Sequence, residues 1–352
     1  MSQDKAIRSH SEAVARACCI VSGSRLYRRL CLFGIACLFF LHSAAPALAQ
    51  YRVARTEFGD PDLQGLWTNA SITTLERPPY LNRLVVSAQE AQAIERATTD
   101  RMDSDRRPSD PKAGAPQAGD DVRGYNTFWL DLGSRLAVVK GEIRTSWVVD
   151  PPTGRVPYSA EGYRALRAAA ATSSDGPESR TIGDRCIVGY GSTSGPPMLN
   201  VLYNNHYQIV QSPGFVTIVV EMNHDARIIR LGGKHPPEHV KLWMGDSIGR
   251  WDADTLVVET TNFHPRQAFT ADVRHRIYLP PTARVTERFT RVSPGEILYE
   301  FLVEDSTAYT QAWRGEMTLN ATKGPMYEYA CHEGNHSMAN ILRGARYQEK
   351  NR

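Results

Sequence analysis

From residue 206 onward, apolar and polar side chains alternate along most of the chain. Residues 206–211 and 215–222 form one pair of alternating runs, and residues 284–292 and 296–304 form a second pair. A Ser-Pro-Gly sequence separates the two runs of each pair. Alternation with a period of two is typical of strands with one buried face, and short turn-forming separators favour antiparallel hairpins. The pattern predicts a mainly β domain whose antiparallel meander closes or curls into a barrel, with a two-sheet β-sandwich as the alternative.

Helical signals are few and short. Ser87 and Glu90 have the spacing of a capping box, which predicts a helix over 88–98. A second short helix is predicted over 160–170. Between them, residues 100–121 contain almost no apolar side chain, so we expect a mobile surface loop there.

The N-terminus has the pattern of a secretory signal peptide. Three arginines precede an apolar run at residues 30–41, and small residues follow it as far as Ala49. This order predicts that residues 1–49 are removed by cleavage before Gln50 and that residues 50–352 form one exported domain, periplasmic or secreted. The apolar run is too short to stay in the bilayer as a spanning helix, so we expect no permanent membrane anchor.

Charge and cysteine content support an exported protein without a nucleic-acid partner. Residues 1–49 contain six basic and two acidic side chains, so the net charge of +3 arises in the leader and the remaining chain is nearly neutral. A near-neutral domain lacks the basic surface that nucleic-acid binding requires. Outside the leader the cysteines are Cys186 and Cys331, which in an oxidising compartment predict one disulfide, with two unpaired buried thiols as the alternative.

Residues 332–336 spell H-E-x-x-H, a zinc-peptidase motif that requires both histidines on one helical face. Glycine and asparagine in the middle of this segment are poor helix formers. With Asn335 as the N-cap of a helix to about Leu342, His332 would lie outside the helix. The context argues against a zinc peptidase, and a looser metal site at His332 or His336 remains the alternative.

Polar residues near predicted strand ends are candidates for acid–base chemistry. His224 lies in a turn, where an imidazole can transfer protons near neutral pH; the alternative is a polar turn on the surface. Arg227 could hold an anion or pair with an acid, and Asp246 could be a base or a turn cap. Glu221 and Glu259 become acid–base candidates only if their side chains face a closed interior.

Six stretches of the chain form a distinctive set: DLQGLW (62–67), HDAR (224–227), WMGDS (243–247), GRW (249–251), DTLVVETTNF (254–263) and YACHEGN (329–335). Together they resemble a family of exported bacterial proteins that is largely uncharacterised. The resemblance covers about residues 60–346 and implies an exported, single-domain bacterial protein, but no catalytic residue. The Gly-x-Trp sequence at residues 65–67 also resembles the opening of lipocalin-like barrels.

These observations predict an exported enzyme that acts on a small organic molecule. An aromatic or hydrophobic molecule would suit the six tryptophans. The chemistry would be of lyase, isomerase or hydrolase type without a nucleotide cofactor, since the chain has neither a dinucleotide fingerprint nor a P-loop. The alternatives are a non-catalytic lipocalin-like carrier and, with less support, a structural factor of the envelope. The candidate catalytic residues are His224, His332, Asp246 and Glu333; the candidate substrate-binding residues are Arg227, Trp243, Trp251 and Asn335.

Overall fold

The computed structural model describes residues 51–105, 112, 130–189, 193–270 and 275–351. The chain divides into two compact units, Met1–Arg52 and Val53–Arg352, and every element below belongs to the second unit. The predicted signal peptide and cleavage point lie outside the described residues. Most of the predicted mobile loop also lies outside them.

The described residues form a mainly β domain, as the alternating pattern predicts. Its strands are β1 (Gly65–Thr68), β2 (Val85–Val86), β3 (Val138–Val139), β4 (Glu142–Arg144), β5 (Val148–Asp150), β6 (His206–Ser212), β7 (Phe215–Val220), β8 (Ala226–Leu231), β9 (Asp246–Asp252), β10 (Thr255–Thr261), β11 (Ala268–Thr270), β12 (Arg276–Tyr278), β13 (Arg284–Ser293), β14 (Glu296–Glu304) and β15 (Trp313–Ala321).

Nine of these strands close into a barrel in the order β1-β6-β7-β8-β9-β10-β13-β14-β15. The closing contact joins β15 to β1, with Trp67 opposite Ala321 and Thr68 opposite Asn320. A barrel rather than a sandwich is therefore confirmed. β5 pairs with β15 beside this closing contact, β2, β3 and β4 form a separate small sheet, and β11 pairs with β12.

The barrel is mixed and not a purely antiparallel meander. β8 and β9 run parallel, with Arg230 opposite Ile248 and Leu231 opposite Gly249. Parallel neighbours need a crossover, because the chain must return to the end where the first strand began. Residues 232–245 provide it. No local sequence signal marks this segment as a crossover.

The helices are α1 (Ala88–Asp105), α2 (Ala160–Ala170) and α3 (His336–Lys350). α1 begins at the predicted capping box, in which Ser87 N donates to Glu90 Oε2 at 2.9 Å. It continues to Asp105, so the first residues of the predicted loop are helical instead, and α3 likewise continues beyond the predicted end at Leu342. Within the part of the chain that the structure describes, no helix combines the length and apolar character needed to cross a membrane.

Large side chains fill the lumen of the barrel. Residues 193–201, which precede β6, are buried as well, and Met198 N donates to the Tyr299 hydroxyl at 2.9 Å. Cys186 and Cys331 form the predicted disulfide, with their Cα atoms 5.7 Å apart. The aromatic residues of the nine barrel strands that are at most 1% exposed are Trp67, Tyr207, Phe289, Tyr299 and Trp313.

Candidate functional site

At one end of the barrel, β1 and β7 end while β6 and β8 begin. β6 begins at His206, which pairs across the strands with Thr68 at the end of β1. β7 ends at Val220 and β8 begins at Ala226, and the registers place both next to the first residues of β6. The long insertion of residues 69–205 leaves and returns at the same end. We call this the His206 end of the barrel.

A histidine at this end is held by two carboxylates. His206 Nδ1 lies 3.0 Å from Glu221 Oε2 and 3.4 Å from Asp131 Oδ2. The Glu221 side chain is 2% exposed, and its other oxygen accepts a hydrogen bond from Tyr327 N at 2.7 Å. Asp131 Oδ2 accepts one from Asn205 N at 2.9 Å. Backbone groups thus fix both carboxylates on the same ring nitrogen, and we call the three side chains the Asp131–His206–Glu221 cluster.

The electrostatics of the cluster favour a protonated imidazole. The hydrogen bond to Glu221 raises the pKa of His206, burial opposes this, and the charges of Asp131 and Glu221 add to the rise. Burial also raises the pKa of Asp131, with a smaller rise from the charge of Glu221, although hydrogen bonding to Asn205 and the charge of His206 oppose it. A proton on Nδ1 is therefore held between the carboxylates. Nε2 makes no hydrogen bond to the described residues, which leaves it available to exchange a proton.

The same cluster offers donor atoms for a metal. One ligand atom from each of the three side chains lies within 4.8 Å of the other two, and two carboxylates with one imidazole could hold a divalent cation. However, hydrogen-bond donors already satisfy the facing oxygens: His206 faces Glu221 Oε2, and Asn205 N donates to Asp131 Oδ2. We therefore assign the arrangement to hydrogen bonding and treat a bound metal as an outcome for experiment.

Asp246 lies in a second cluster of charged groups, at the start of β9. Arg230 donates to both of its carboxylate oxygens, at 2.7 and 2.9 Å, and His235 Nδ1 lies 2.6 Å from Oδ2. Burial alone would raise the pKa of Asp246, but hydrogen bonds from Arg230 and His235 hold it below its usual range. His235 Nε2 lies 3.3 Å from Glu259, so both ring nitrogens face carboxylates. This cluster ties the crossover segment to β9 and β10.

Arg227 lies inside the lumen. Its two terminal nitrogens donate to the two oxygens of Glu287 at 3.0 and 2.6 Å, and the Tyr299 hydroxyl donates to the same carboxylate at 2.8 Å. The side chains of Arg227 and Glu287 are 2% and 0% exposed. The guanidinium predicted to bind substrate is therefore neutralised by a buried acid.

His224 and its neighbour Asp225 point to different surroundings. His224 is exposed and ends a short 3-10 turn, Met222–His224, with a φ of +44°. Asp225 Oδ2 accepts hydrogen bonds from Ser194 Oγ at 2.5 Å and from Gly189 N at 2.8 Å. Burial raises the pKa of Asp225, although these hydrogen bonds oppose the rise. Asp225 thus anchors the loop beside the disulfide.

The H-E-x-x-H segment does not form one helical face. His332 lies in a turn before α3 and His336 is the first residue of the helix; both are exposed, as is Glu333. Asn335 is the N-cap of α3, as predicted, and its amide also donates to Asp184 O at 2.8 Å. The geometry therefore lacks the helix on which a zinc peptidase places its two histidines. A role for either histidine in a looser metal site stays a prediction.

The two tryptophans predicted to bind substrate are half-buried. Trp243 stacks on His264 with ring centroids 3.8 Å apart and packs against the small cluster formed by Ile182 and Val188. Trp251 packs against the barrel core, and its indole nitrogen is buried without a hydrogen-bond partner among the described residues. Both rings thus contribute to packing, and a contact with ligand stays a prediction.

The structure does not gather the predicted catalytic residues into one site. Within the described residues, no hydrogen bond or ion pair joins any two of His224, His332, Asp246 and Glu333. Sequence reasoning missed His206 and Asp131. The register of the hairpin could have indicated that His206, at the start of β6, faces the end of β7 and hence Glu221. Asp131 comes from the long insertion, where no local pattern marks it.

Comparison of the chain with protein-family models, curated proteins and solved structures finds no match. The functional proposal is therefore based on the geometry of this chain's own residues.

Proposed function

We propose that this chain is an exported enzyme that performs acid–base chemistry on a small organic molecule, with His206 as its proton-transfer group. The observation that carries the proposal is that two carboxylates hold one ring nitrogen while the other has no partner among the described residues. His235, by contrast, has carboxylates at both ring nitrogens. Of these two histidines, His206 alone keeps a nitrogen for substrate.

The arrangement fits a general base. With its proton on Nδ1 and directed to Glu221, His206 presents a lone pair at Nε2. When Nε2 takes a proton from substrate, the negative charges of Glu221 and Asp131 stabilise the imidazolium that forms. The same group can return the proton to a leaving group or to another carbon, as elimination, isomerisation and hydrolysis each require. Glu221 and Asp131 act as positioning residues in this scheme.

The filled lumen favours catalysis over carriage. A lipocalin-like carrier keeps a ligand cavity inside its barrel. Here the lumen contains a buried ion pair, Arg227 with Glu287, and the hydroxyl of Tyr299 that donates to it. A ligand could enter only by displacing these groups and leaving a buried charge unpaired.

Hydrolysis of p-nitrophenyl acetate tests the proposal, because this ester reports an accessible imidazole that acts as base or nucleophile. We expect His206→Gln to lower the rate at least tenfold, since a positioned general base contributes about 100-fold or more. The exposed His239→Gln is the matched control and should leave the rate unchanged. Glu221→Gln should move the midpoint of the rate–pH profile to lower pH, because the Glu221 hydrogen bond makes the largest contribution to the raised pKa of His206.

Four outcomes would contradict the proposal. One is a wild-type rate no higher than that of free imidazole, and another is an unchanged rate in His206→Gln. The third is a rate that falls in His224→Gln or His332→Gln but not in His206→Gln, which would return the site to the sequence-predicted residues. A divalent metal bound stoichiometrically in the purified protein would exclude the hydrogen-bonded mechanism.

A further inference from the structure

A cleft of about 570 Å³ lies beside α2, outside the Asp131–His206–Glu221 cluster. Three segments line it: the C-terminal half of α2 with the two residues that follow, residues 179–184, and residues of the connection between β10 and β13. Its volume lies within the range of pockets that hold small organic molecules. None of the residues predicted from sequence as catalytic or substrate-binding lines this cleft.

One wall of the cleft is apolar and shallow. Ala165, Ala168 and Ala169 line it with the spacing of a single helical face. Small side chains at these positions leave room that larger ones would fill. Near them lie two larger buried side chains that also line the cleft, Ile182 and Tyr278. This wall suits a flat hydrocarbon body.

The charged groups of the cleft are mostly basic. Arg180, Arg266 and Arg276 line it together with one acid, Asp184. Asp184 pairs with Arg180 at 3.1 Å, which neutralises one of the three cations. Arg180 also keeps a buried Nε without a hydrogen-bond partner among the described residues. Basic charge therefore remains in excess in the cleft.

The other two arginines are fixed by neutral groups. Arg266 donates to the backbone carbonyl of Glu178, and Arg276 donates to Ala170 O at 3.1 Å. In the described part of the chain neither guanidinium makes an ion pair with a carboxylate, so each keeps its charge and several N–H donors. The carbonyl groups at the C-terminus of α2 carry about half a negative charge, which offsets part of the positive charge of the arginines. One of these carbonyls, Ala170 O, already accepts the hydrogen bond from Arg276.

We propose that this cleft binds a small organic anion, a carboxylate with a flat apolar body. The carboxylate accepts paired N–H groups from Arg266 and Arg276, and the hydrocarbon lies against the alanine face of α2. Planar guanidinium groups bind carboxylates with two parallel hydrogen bonds, which gives such a site its selectivity for the charged form. This binding site is independent of the role proposed for His206.

Titration with 2-naphthoate and with neutral 2-naphthamide, followed by ligand-observed NMR, tests this site. We expect the wild type to bind naphthoate at least tenfold more tightly than naphthamide. The double variant Arg266→Gln/Arg276→Gln should weaken naphthoate binding at least tenfold. Arg250→Gln removes one positive charge from an exposed position in β9, outside the cleft, and should change the Kd less than twofold. Ala169→Phe keeps every charge but fills the cleft, so it should also weaken binding.

Equal affinity for the acid and the amide would overturn the proposal, as would wild-type binding by the double arginine variant. Retention of binding in Ala169→Phe would place the ligand elsewhere. Inorganic phosphate provides the comparison for a simple anion. If it binds more tightly than naphthoate, the cleft is a site for free phosphate and not for an organic carboxylate. Melting curves of each variant show that the fold is intact before binding is compared.

Discussion

Replacing Glu287 by Gln removes the acid that neutralises Arg227 in the lumen. Both side chains are at most 2% exposed, and the pair makes two direct hydrogen bonds of 3.0 and 2.6 Å. Removing one partner of a buried ion pair costs about 3–5 kcal/mol, because the other charge is left uncompensated. With an m-value of about 3 kcal/mol/M, the urea midpoint should fall by roughly 1–2 M.

Urea unfolding followed by tryptophan fluorescence, with the disulfide intact, measures this change. Arg288→Gln is the matched control, since Arg288 pairs with Asp252 in an exposed bridge and should cost less than about 1 kcal/mol. The double variant Arg227→Met/Glu287→Leu should be more stable than Glu287→Gln alone, because it leaves no buried charge. If Glu287→Gln costs less than about 1 kcal/mol, the lumen is hydrated, and the argument against a carrier fails.

Three further predictions concern stability. The pKa of His206 in the folded protein is raised above its usual value of about 6.5. The protonated His206 therefore stabilises the fold fully below about pH 6.5, and this stabilisation is lost as the pH rises through the folded-state pKa. Tm should therefore fall more between pH 6 and pH 9 in the wild type than in His206→Gln. Reducing the disulfide, whose cysteines are 145 residues apart, should lower stability by about 5 kcal/mol, measured by urea unfolding with and without reductant. Gly162→Ala should destabilise the protein by about 1–3 kcal/mol, because the new Cβ would lie 2.0 Å from Ala308 O. Gly344→Ala in α3 places its Cβ in open space and should stabilise the protein slightly. Melting curves of both variants measure these changes.

Each of these has a result that would refute its reasoning. Parallel pH dependence in the wild type and His206→Gln would mean that the cluster does not raise the pKa of the histidine. A reductant effect below about 1 kcal/mol would mean that the unfolded chain is already compact without the bridge. Equal Tm changes for the two glycine variants would contradict the close approach of α2 to the backbone at Ala308.

Local patterns predicted the parts of the fold that local physics determines. The alternating runs around the two Ser-Pro-Gly turns appear as β6 with β7 and β13 with β14, because strand pairing and turn geometry are set by neighbouring residues. α2 occupies residues 160–170 as predicted, with Ser159 accepting a hydrogen bond from Gly162 N. The disulfide followed from compartment and cysteine count.

The candidate site depends on contacts between distant segments, which a single sequence does not display. Asp131 contacts His206, which lies 75 residues later in the sequence. The sequence left open whether Arg227 holds an anion or pairs with an acid, and the closed barrel places it opposite Glu287, on another strand. The sequence offered Asp246 as a base or a turn cap, but the parallel crossover brings Arg230 and His235 onto its carboxylate. In each case the partner lies on another strand or segment, which only the folded chain brings into contact.

Histidine ring titration by NMR tests the central claim most directly, because it needs no substrate. With carbon-13 and nitrogen-15 labels, the ring signals of His206 give both its pKa and the nitrogen that carries the proton in the neutral form. The account predicts a pKa above about 6.5 that falls in Glu221→Gln, with the neutral proton on Nδ1. A pKa at or below that value, or a neutral proton on Nε2, would contradict it.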